Sequence, residues 1–261
     1  MRSPLCAGAV PGRVAATLPV RSGGGPGPTA DSLAGVGEHP SSVDFFFDPM
    51  CPWAYQTSLW IREIRDRTGL EVRWRFFSLE EINRPDDRPH PWERPWAYGY
   101  SQMRVGALLR RRGQDAVDDW YAAVGHAFHM EGRKTHEIDV HRALLDELGV
   151  GAGVVDEALA DPTTGEEVRA DHDWVVGEKG AFGVPTLVFP EGDALFGPVV
   201  APALEGAAAE RLWDLTLGWR EFPHLYEIKR PKSDDDLRHI AGVFKPYLGA
   251  RAWPTIAKPA R

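Results

Sequence analysis

The sequence predicts an α/β protein whose mixed sheet is interrupted by a long helical insertion. Three observations carry this expectation. An aromatic run at residues 43–48 is followed at once by a helix-period segment and then by an alternating strand pattern. Residues 96–180 place apolar side chains at helical spacing. Two short apolar runs then flank the turn signal Glu191-Gly192-Asp193. A parallel β-α-β unit, a helical block and an antiparallel hairpin follow from that order.

The first strand is expected at residues 43–48 (VDFFFD), a run with the length and composition of a buried strand, stopped by Asp48-Pro49. From Pro52 the period changes. Trp60, Ile61 and Ile64, with Leu59 beside them, suit one helix face, and Gly69 supplies the stop. Residues 70–79 (LEVRWRFFSL) alternate Val72, Trp74 and Phe76 with Glu71, Arg73 and Arg75, the signature of a half-buried strand. Residues 85–95 are too rich in proline for regular structure.

In the helical block, Trp120, Val124 and Phe128 share one face, as do Leu144, Leu145 and Leu148; Met103, Leu108 and Leu109 mark an earlier helix. The hairpin is expected at 185–189 and 194–200. A helix through Leu204, Leu212, Trp213 and Leu217 follows. Beyond Lys232 the chain turns charged and irregular, with a short helix near 237–244. Three segments are expected: an extension over 1–42, a folded domain over 43–232 with its insertion at about 85–180, and a C-terminal extension over 233–261.

The first 42 residues, with their RSGGGPG stretch and interrupting prolines, hold too little large apolar surface to offset chain entropy, so they read as disordered. A secretory signal is a poor fit, because Pro11, Arg13 and Pro19 break its apolar core; an arginine-bearing transit peptide and a misassigned start are the other readings. The 261 residues carry a formal charge of −8, which argues against a general nucleic-acid binder. No run of about 18 apolar residues offers a membrane span. Cys6 and Cys51 are too few for a disulfide framework or a Cys-rich metal site, so a cysteine here matters singly.

Cys51 sits between the first strand and the first helix, with Pro52 at the first helical position, where its missing N–H costs nothing. A thiol there faces unpaired backbone N–H groups and the positive end of the helix dipole, which favours the reactive thiolate. The carboxyl end of a parallel strand is also where α/β proteins place ligand sites. The bland alternative is a small buried hydrophobe.

The segment Phe47-Asp48-Pro49-Met50-Cys51-Pro52-Trp53-Ala54 resembles the active-site segment of DsbA-like thioredoxin-fold oxidoreductases, and more narrowly the actinobacterial mycothiol-dependent nitroreductase family. Trp60-Ile61, Phe77-Ser78-Leu79 with Ile82-Asn83, Gly183-Val184-Pro185-Thr186, Phe196-Gly197-Pro198-Val199, Leu212-Trp213-Asp214 and Pro223-His224 through Glu227-Ile228-Lys229-Arg230 extend the likeness over about 43–232. It implies a thioredoxin-like fold with an inserted all-helical subdomain, a catalytic Cys51 and a low-molecular-weight thiol, mycothiol or similar, as co-substrate with no bound cofactor. The family's motif is Cys-Pro-Trp-Cys, whereas this chain has Ala54 at its fourth position. A dithiol resolves its mixed disulfide with the second thiolate, so monothiol exchange is what remains; Cys6 would have to reach in from the tail.

The resemblance further implies a cis bond at Val184-Pro185, with Val184 backbone and Thr186 beside the Cys51 sulfur; alone, Pro185 reads as a strand-entry proline. Trp53 is expected as a flat cleft wall for an aromatic substrate, or as a core aromatic of the first helical turn. Asn83 is a polar contact at the cleft rim, or a turn residue. Trp92 and Trp96 are candidates for the substrate entrance.

No metal site is expected: His126 and His129 share a helix face near His136 and His141, but no Cys or paired carboxylate joins them. Asp171-His172-Asp173 has no triad geometry, because consecutive helical residues do not face one another. No glycine-rich dinucleotide loop is present.

The function expected is thus a cytoplasmic thiol-dependent oxidoreductase acting on a small aromatic, nitro or quinone-like molecule. A thiol-dependent isomerase or transferase of the 2-hydroxychromene-2-carboxylate isomerase kind, and a redox-inactive binding protein, are the alternatives. The oligomeric state, a homodimer included, stays open.

Overall fold

The computed structural model describes residues 39–251. Cys6, the targeting alternatives and all but the end of the expected N-terminal extension lie outside them, as does the last part of the C-terminal one.

Strand β1 (Ser42–Phe47) is buried along its whole length and pairs in parallel with β2 (Glu71–Phe76) across α1 (Pro52–Thr68). Helix α1 is closed at its C-terminus by Gly69 at φ 76°, whose N–H reaches the Arg65 carbonyl; a left-handed residue there is what glycine tolerates best. Strand β2 buries Val72, Trp74 and Phe76 and turns Glu71, Arg73 and Arg75 outward. It is shorter than the 70–79 expected, because Ser78 caps a brief helix α2 (Leu79–Ile82) by accepting the Glu81 N–H.

The insertion consists of α3 (Tyr98–Arg110), α4 (Gln114–His129), α5 (Ile138–Glu147), α6 (Gly153–Ala160) and α7 (Pro162–Lys179). A short 3₁₀ turn at Pro91–Glu93 interrupts the proline-rich connection before it. Trp120, Val124 and Phe128 are buried as the period requires, but Leu148 is exposed, since α5 ends at Glu147 and Leu148 lies past its packed face. Glycines let the helices meet. A Cβ on Gly106 would lie 2.6 Å from the Trp120 ring, and one on Gly125 would lie 2.4 Å from the Tyr55 ring of α1.

Strand β3 (Thr186–Val188) runs antiparallel to β1 and pairs with β4 (Ala194–Phe196), giving the sheet order β2-β1-β3-β4. The strand expected over 194–200 stops at Phe196 because Gly197 adopts φ 107° and Pro198 has no N–H to donate. Helix α8 (Gly206–Trp219) begins after Leu204 and packs against α1. Trp60 binds it there: its ring packs 5.9 Å from that of Trp213, and its Nε1 donates to the Ala209 carbonyl at 3.0 Å.

The helix expected near 237–244 is α9 (Asp234–Val243), started by a Ser233/Asp236 capping box. The irregular chain expected after it is instead a further helix, α10 (Lys245–Ala250), opened by Pro246 in its first turn.

Candidate active site

Cys51 is the N-cap of α1, with Pro52 next to it at the helix start. Its Sγ accepts the Ala54 N–H at 3.4 Å and donates toward the Val184 carbonyl at 3.6 Å. The Val184–Pro185 peptide is cis. Thr186 is buried and donates from Oγ1 to the Gly183 carbonyl at 2.8 Å, holding the turn that presents Val184. Thus Cys51, Pro52, Ala54, Val184, Pro185 and Thr186 come together from the first α1 turn and the entry to β3. Trp53 is half-buried beside them, its ring edge-on to Phe244 at 4.7 Å.

Asn83 is placed elsewhere. It is exposed, closes α2, and donates from Nδ2 to the Leu79 carbonyl at 2.9 Å. Trp92 stacks on His90, with ring centres 4.4 Å apart, and Trp96 donates to the His136 carbonyl at 2.7 Å. Both are tied into the helical insertion.

The thiolate favoured by a helix N-terminus is not the state this burial supports. Cys51 is 6% exposed. Burial pushes its thiol up to about 12, the Ala54 N–H opposes this, and the nearby Asp48 carboxyl adds to the rise. Desolvation of the charged form outweighs the helix-end contribution here.

In the sequence Asp48 marks the stop of β1 and belongs to the active-site-like segment, with no role of its own. Its Oδ1 accepts the Met50 N–H at 2.9 Å and its Oδ2 the Leu79 N–H at 2.8 Å. Burial raises its carboxyl to about 7 against those hydrogen bonds. The carboxyl thereby clamps the Cys51 turn to the start of α2, and Gly99 makes room for it, since a Cβ there would lie 2.6 Å from Oδ1.

His129 is the other group not assigned from sequence. Its Nε2 lies 2.9 Å from the Pro49 carbonyl, and its ring stacks on Tyr55 at 5.0 Å. Burial lowers its pKa to about 3, so it is neutral. Tyr247 of α10 lies 5.4 Å from the same ring. No local pattern gave these roles: Asp48 reaches the Leu79 N–H, His129 reaches the Pro49 carbonyl, and Tyr247 arrives from the far end of the chain.

The other motifs separate. The His126 side chain is 60% exposed and faces Glu131, away from the buried His129. Asp171 binds Arg110, Arg75 and the Phe76 N–H, whereas His172 accepts the Ser78 N–H at 3.2 Å. Among the described residues no three His, Cys, Asp or Glu side chains group as metal ligands. No described helix is long and apolar enough to cross a membrane.

The fold and this cysteine turn define a DsbA-like thioredoxin-fold protein of thiol chemistry. More narrowly, the chain belongs to the Rv2466c-like family, described as mycothiol-dependent nitroreductase Rv2466c, which it matches over residues 50–230. Rv2286c, an uncharacterized protein of Mycobacterium tuberculosis, is 52% identical over 216 residues, 83% of this chain and 93% of its own. A solved 2-hydroxychromene-2-carboxylate isomerase is similar with a TM-score of 0.51 at 16% identity, over 69% of this chain and 95% of its own. The cytosolic disulfide reductase DsbM from Pseudomonas aeruginosa gives a TM-score of 0.45 at 19% identity, over 69% and 98%. At 16% identity the likeness to the isomerase speaks for the fold alone. Family membership supports a thiol-dependent oxidoreductase with a thiol co-substrate.

Proposed function

We infer that the protein is a monothiol oxidoreductase in which Cys51 exchanges with mycothiol or a similar small thiol to reduce a small aromatic, nitro or quinone-like substrate. The observation that supports this best is the Cys51 Sγ held between the Ala54 N–H and the Val184 carbonyl, with Ala54 where the family has its second cysteine. The chemistry then balances without a bound cofactor. The Cys51 thiolate adds to an electron-poor substrate. A thiol RSH attacks the cysteine sulfur, giving the Cys51–S–S–R mixed disulfide and releasing the substrate reduced by two electrons. A second RSH attacks that disulfide, returns Cys51–SH and leaves as RSSR. Trp53 and Pro185 line the cleft, and Val184 and Thr186 backbone faces the bound thiol. Such exchange needs a reduced thiol pool, as in the cytoplasm.

Ala54 favours a second reading as well: an isomerase or transferase, in which the thiol adds and leaves without net oxidation, needs no resolving cysteine. Product analysis separates the two, because only the reductase accumulates oxidised thiol.

The test is intact mass and peptide mapping of the Cys6→Ser protein after exposure to oxidised mycothiol. An adduct confined to Cys51 and removed by free mycothiol is expected. Cys51 remaining free after long exposure sinks thiol exchange and leaves a protein that only binds a ligand.

A further inference from the structure

The chain that covers Cys51 lies beyond the stretch that matches the family, which ends at residue 230. Phe244, at the junction of α9 and α10, meets Trp53 edge-on at 4.7 Å, and Trp53 stands two residues beyond Cys51, in the first turn of α1. Tyr247 packs on His129 at 5.4 Å and on Phe128 at 5.5 Å, and its phenol lies close enough to feel the charge of both Cys51 and Asp48. On the opposite side, the Pro246 carbonyl approaches Gly132, where a Cβ would lie 3.2 Å from it.

Helix α10 packs on α4, and most of the rest of the cover is exposed. Phe244, Tyr247 and Ala250 are buried, but they stand outside the continuous core that holds β1, α1 and β2 together. Helix α9 buries no residue, and residues 226–239 are exposed without exception. The His239 Nε2 to Ala201 carbonyl contact, 3.1 Å, ties α9 to the body. A helix as short as α10 has little stability of its own. A short helix at the end of a long exposed segment is the kind of element that opens locally.

We propose that α9 and α10 form a lid hinged at the exposed residues 226–233, which shields Cys51 when closed and must lift before a thiol or substrate reaches Sγ. Phe244 and Tyr247 are its latch, and Trp53 and His129 the surfaces they close on. The closed lid keeps the sulfur dry and protonated, and opening returns water to it. The lid serves the same cysteine as the proposed function, but it governs access whatever the attacking reagent, so the two fail separately.

The experiment uses the full-length Cys6→Ser protein and measures the second-order rate of Cys51 alkylation by iodoacetamide. Phe244→Ala and Tyr247→Ala are expected to raise that rate at least about tenfold, while Leu248→Ala, on the exposed face of α10, leaves it unchanged. In the parent protein the rate should depend only weakly on urea below the unfolding transition, because lifting two short helices exposes little surface. Rates unchanged in both latch variants, with circular dichroism intact, overturn the lid. So does a parent rate that follows global stability through the urea series. Should a latch variant fail to fold, hydrogen exchange of the parent decides. Amides of 234–250 should exchange far faster than those of α1 and α4, and equal protection refutes the proposal. Fast alkylation of the latch variants without any mycothiol adduct would leave the lid standing and remove the thiol chemistry.

Discussion

Helices α1 and α10 both bring aromatic rings to Cys51, and they are built in opposite ways. Helix α1 has a proline start, a left-handed glycine stop and Trp60 fully buried with its Nε1 bonded across to α8. Helix α10 spans Lys245–Ala250, has no side-chain cap, and buries only Tyr247 and Ala250 within its own length. The floor of the site is thus fixed by the cooperative fold, while its cover rests on a marginal element. A reactive thiol gains from that division: the turn that positions Sγ cannot drift, and the part that excludes water can move without unfolding the rest.

Breaking the floor should cost most. Trp60→Ala removes a buried indole and leaves the Ala209 carbonyl without its donor, an expected loss of about 3–5 kcal/mol. Urea unfolding followed by circular dichroism measures it, and a loss under about 1 kcal/mol would mean that α1 and α8 are not one packed unit.

The next effect is on acid stability. His129 and His141 are buried and neutral, with pKa values lowered to about 3 and about 4. As pH falls below about 6.5 the unfolded chain binds their protons and the folded one does not, so each lowers stability. Asp48 acts the other way. Its pKa is raised to about 7, so the fold keeps a proton that the unfolded chain has released down to its ordinary value, and stability from this group grows as pH falls. Burial lowers the pKa of His136 and His172 in the same direction, so the histidines outnumber the one aspartate and stability falls by at least about 1.4 kcal/mol per pH unit between about 6 and 4. Asp48→Asn should steepen that slope, even though its amide meets a backbone N–H and lowers stability at every pH. Midpoints that stay flat from pH 6 to 4 in both proteins would contradict the burial of these histidines.

The same division explains what could be read from the sequence. The β1–α1–β2 unit was legible because each signal is local: an aromatic run, a 3.6-residue period with Pro52 and Gly69 as its limits, and the Val72-Trp74-Phe76 alternation. Cys51 was legible for the same reason, standing at the one junction where strand period gives way to helix period. Its protonation state was not, because burial by partners far along the chain decides it and no local pattern encodes a desolvation cost. Asp48 escaped as a clamp since its partner Leu79 N–H belongs to another element. Helix α10 escaped because a short proline-started helix leaves no periodic trace, and Phe244 and Tyr247 gain meaning only once Trp53 and His129 lie beneath them. Asn83 and Leu148 show the converse: a plausible local pattern whose side chain the fold turns away.

The seam between the platform and the insertion lies at Gly125, whose missing side chain admits the Tyr55 ring. Gly125→Ala forces α1 or α4 to shift, an overpacking cost of about 1–3 kcal/mol. Because Tyr55 also stacks on His129, the variant should loosen the bed on which Tyr247 rests as well. Its urea midpoint reports the first effect, and a midpoint equal to the parent's would show that the two regions meet less tightly than the 2.4 Å approach requires.

Phe244→Ala should have the smallest effect on global stability, although it deletes a buried aromatic ring. A phenylalanine removed from a continuous core costs about 3–5 kcal/mol because its neighbours cannot collapse into the space. Phe244 is buried by a lid that can swing away, so the loss falls on lid closure, and the cooperative unfolding of the body should change by less than about 1 kcal/mol. The pairing with Trp60→Ala is the sharpest form of the comparison, since both delete a buried aromatic side chain, one from the core between α1 and α8 and one from the lid. If Phe244→Ala lowers the urea midpoint as far as Trp60→Ala does, α10 belongs to the cooperative core, and the exclusion of water from Cys51 becomes a permanent feature of the fold. If the midpoint holds while Cys51 alkylation accelerates, closure and folding are separate equilibria, and the protein can admit a thiol without loosening the turn that aims it.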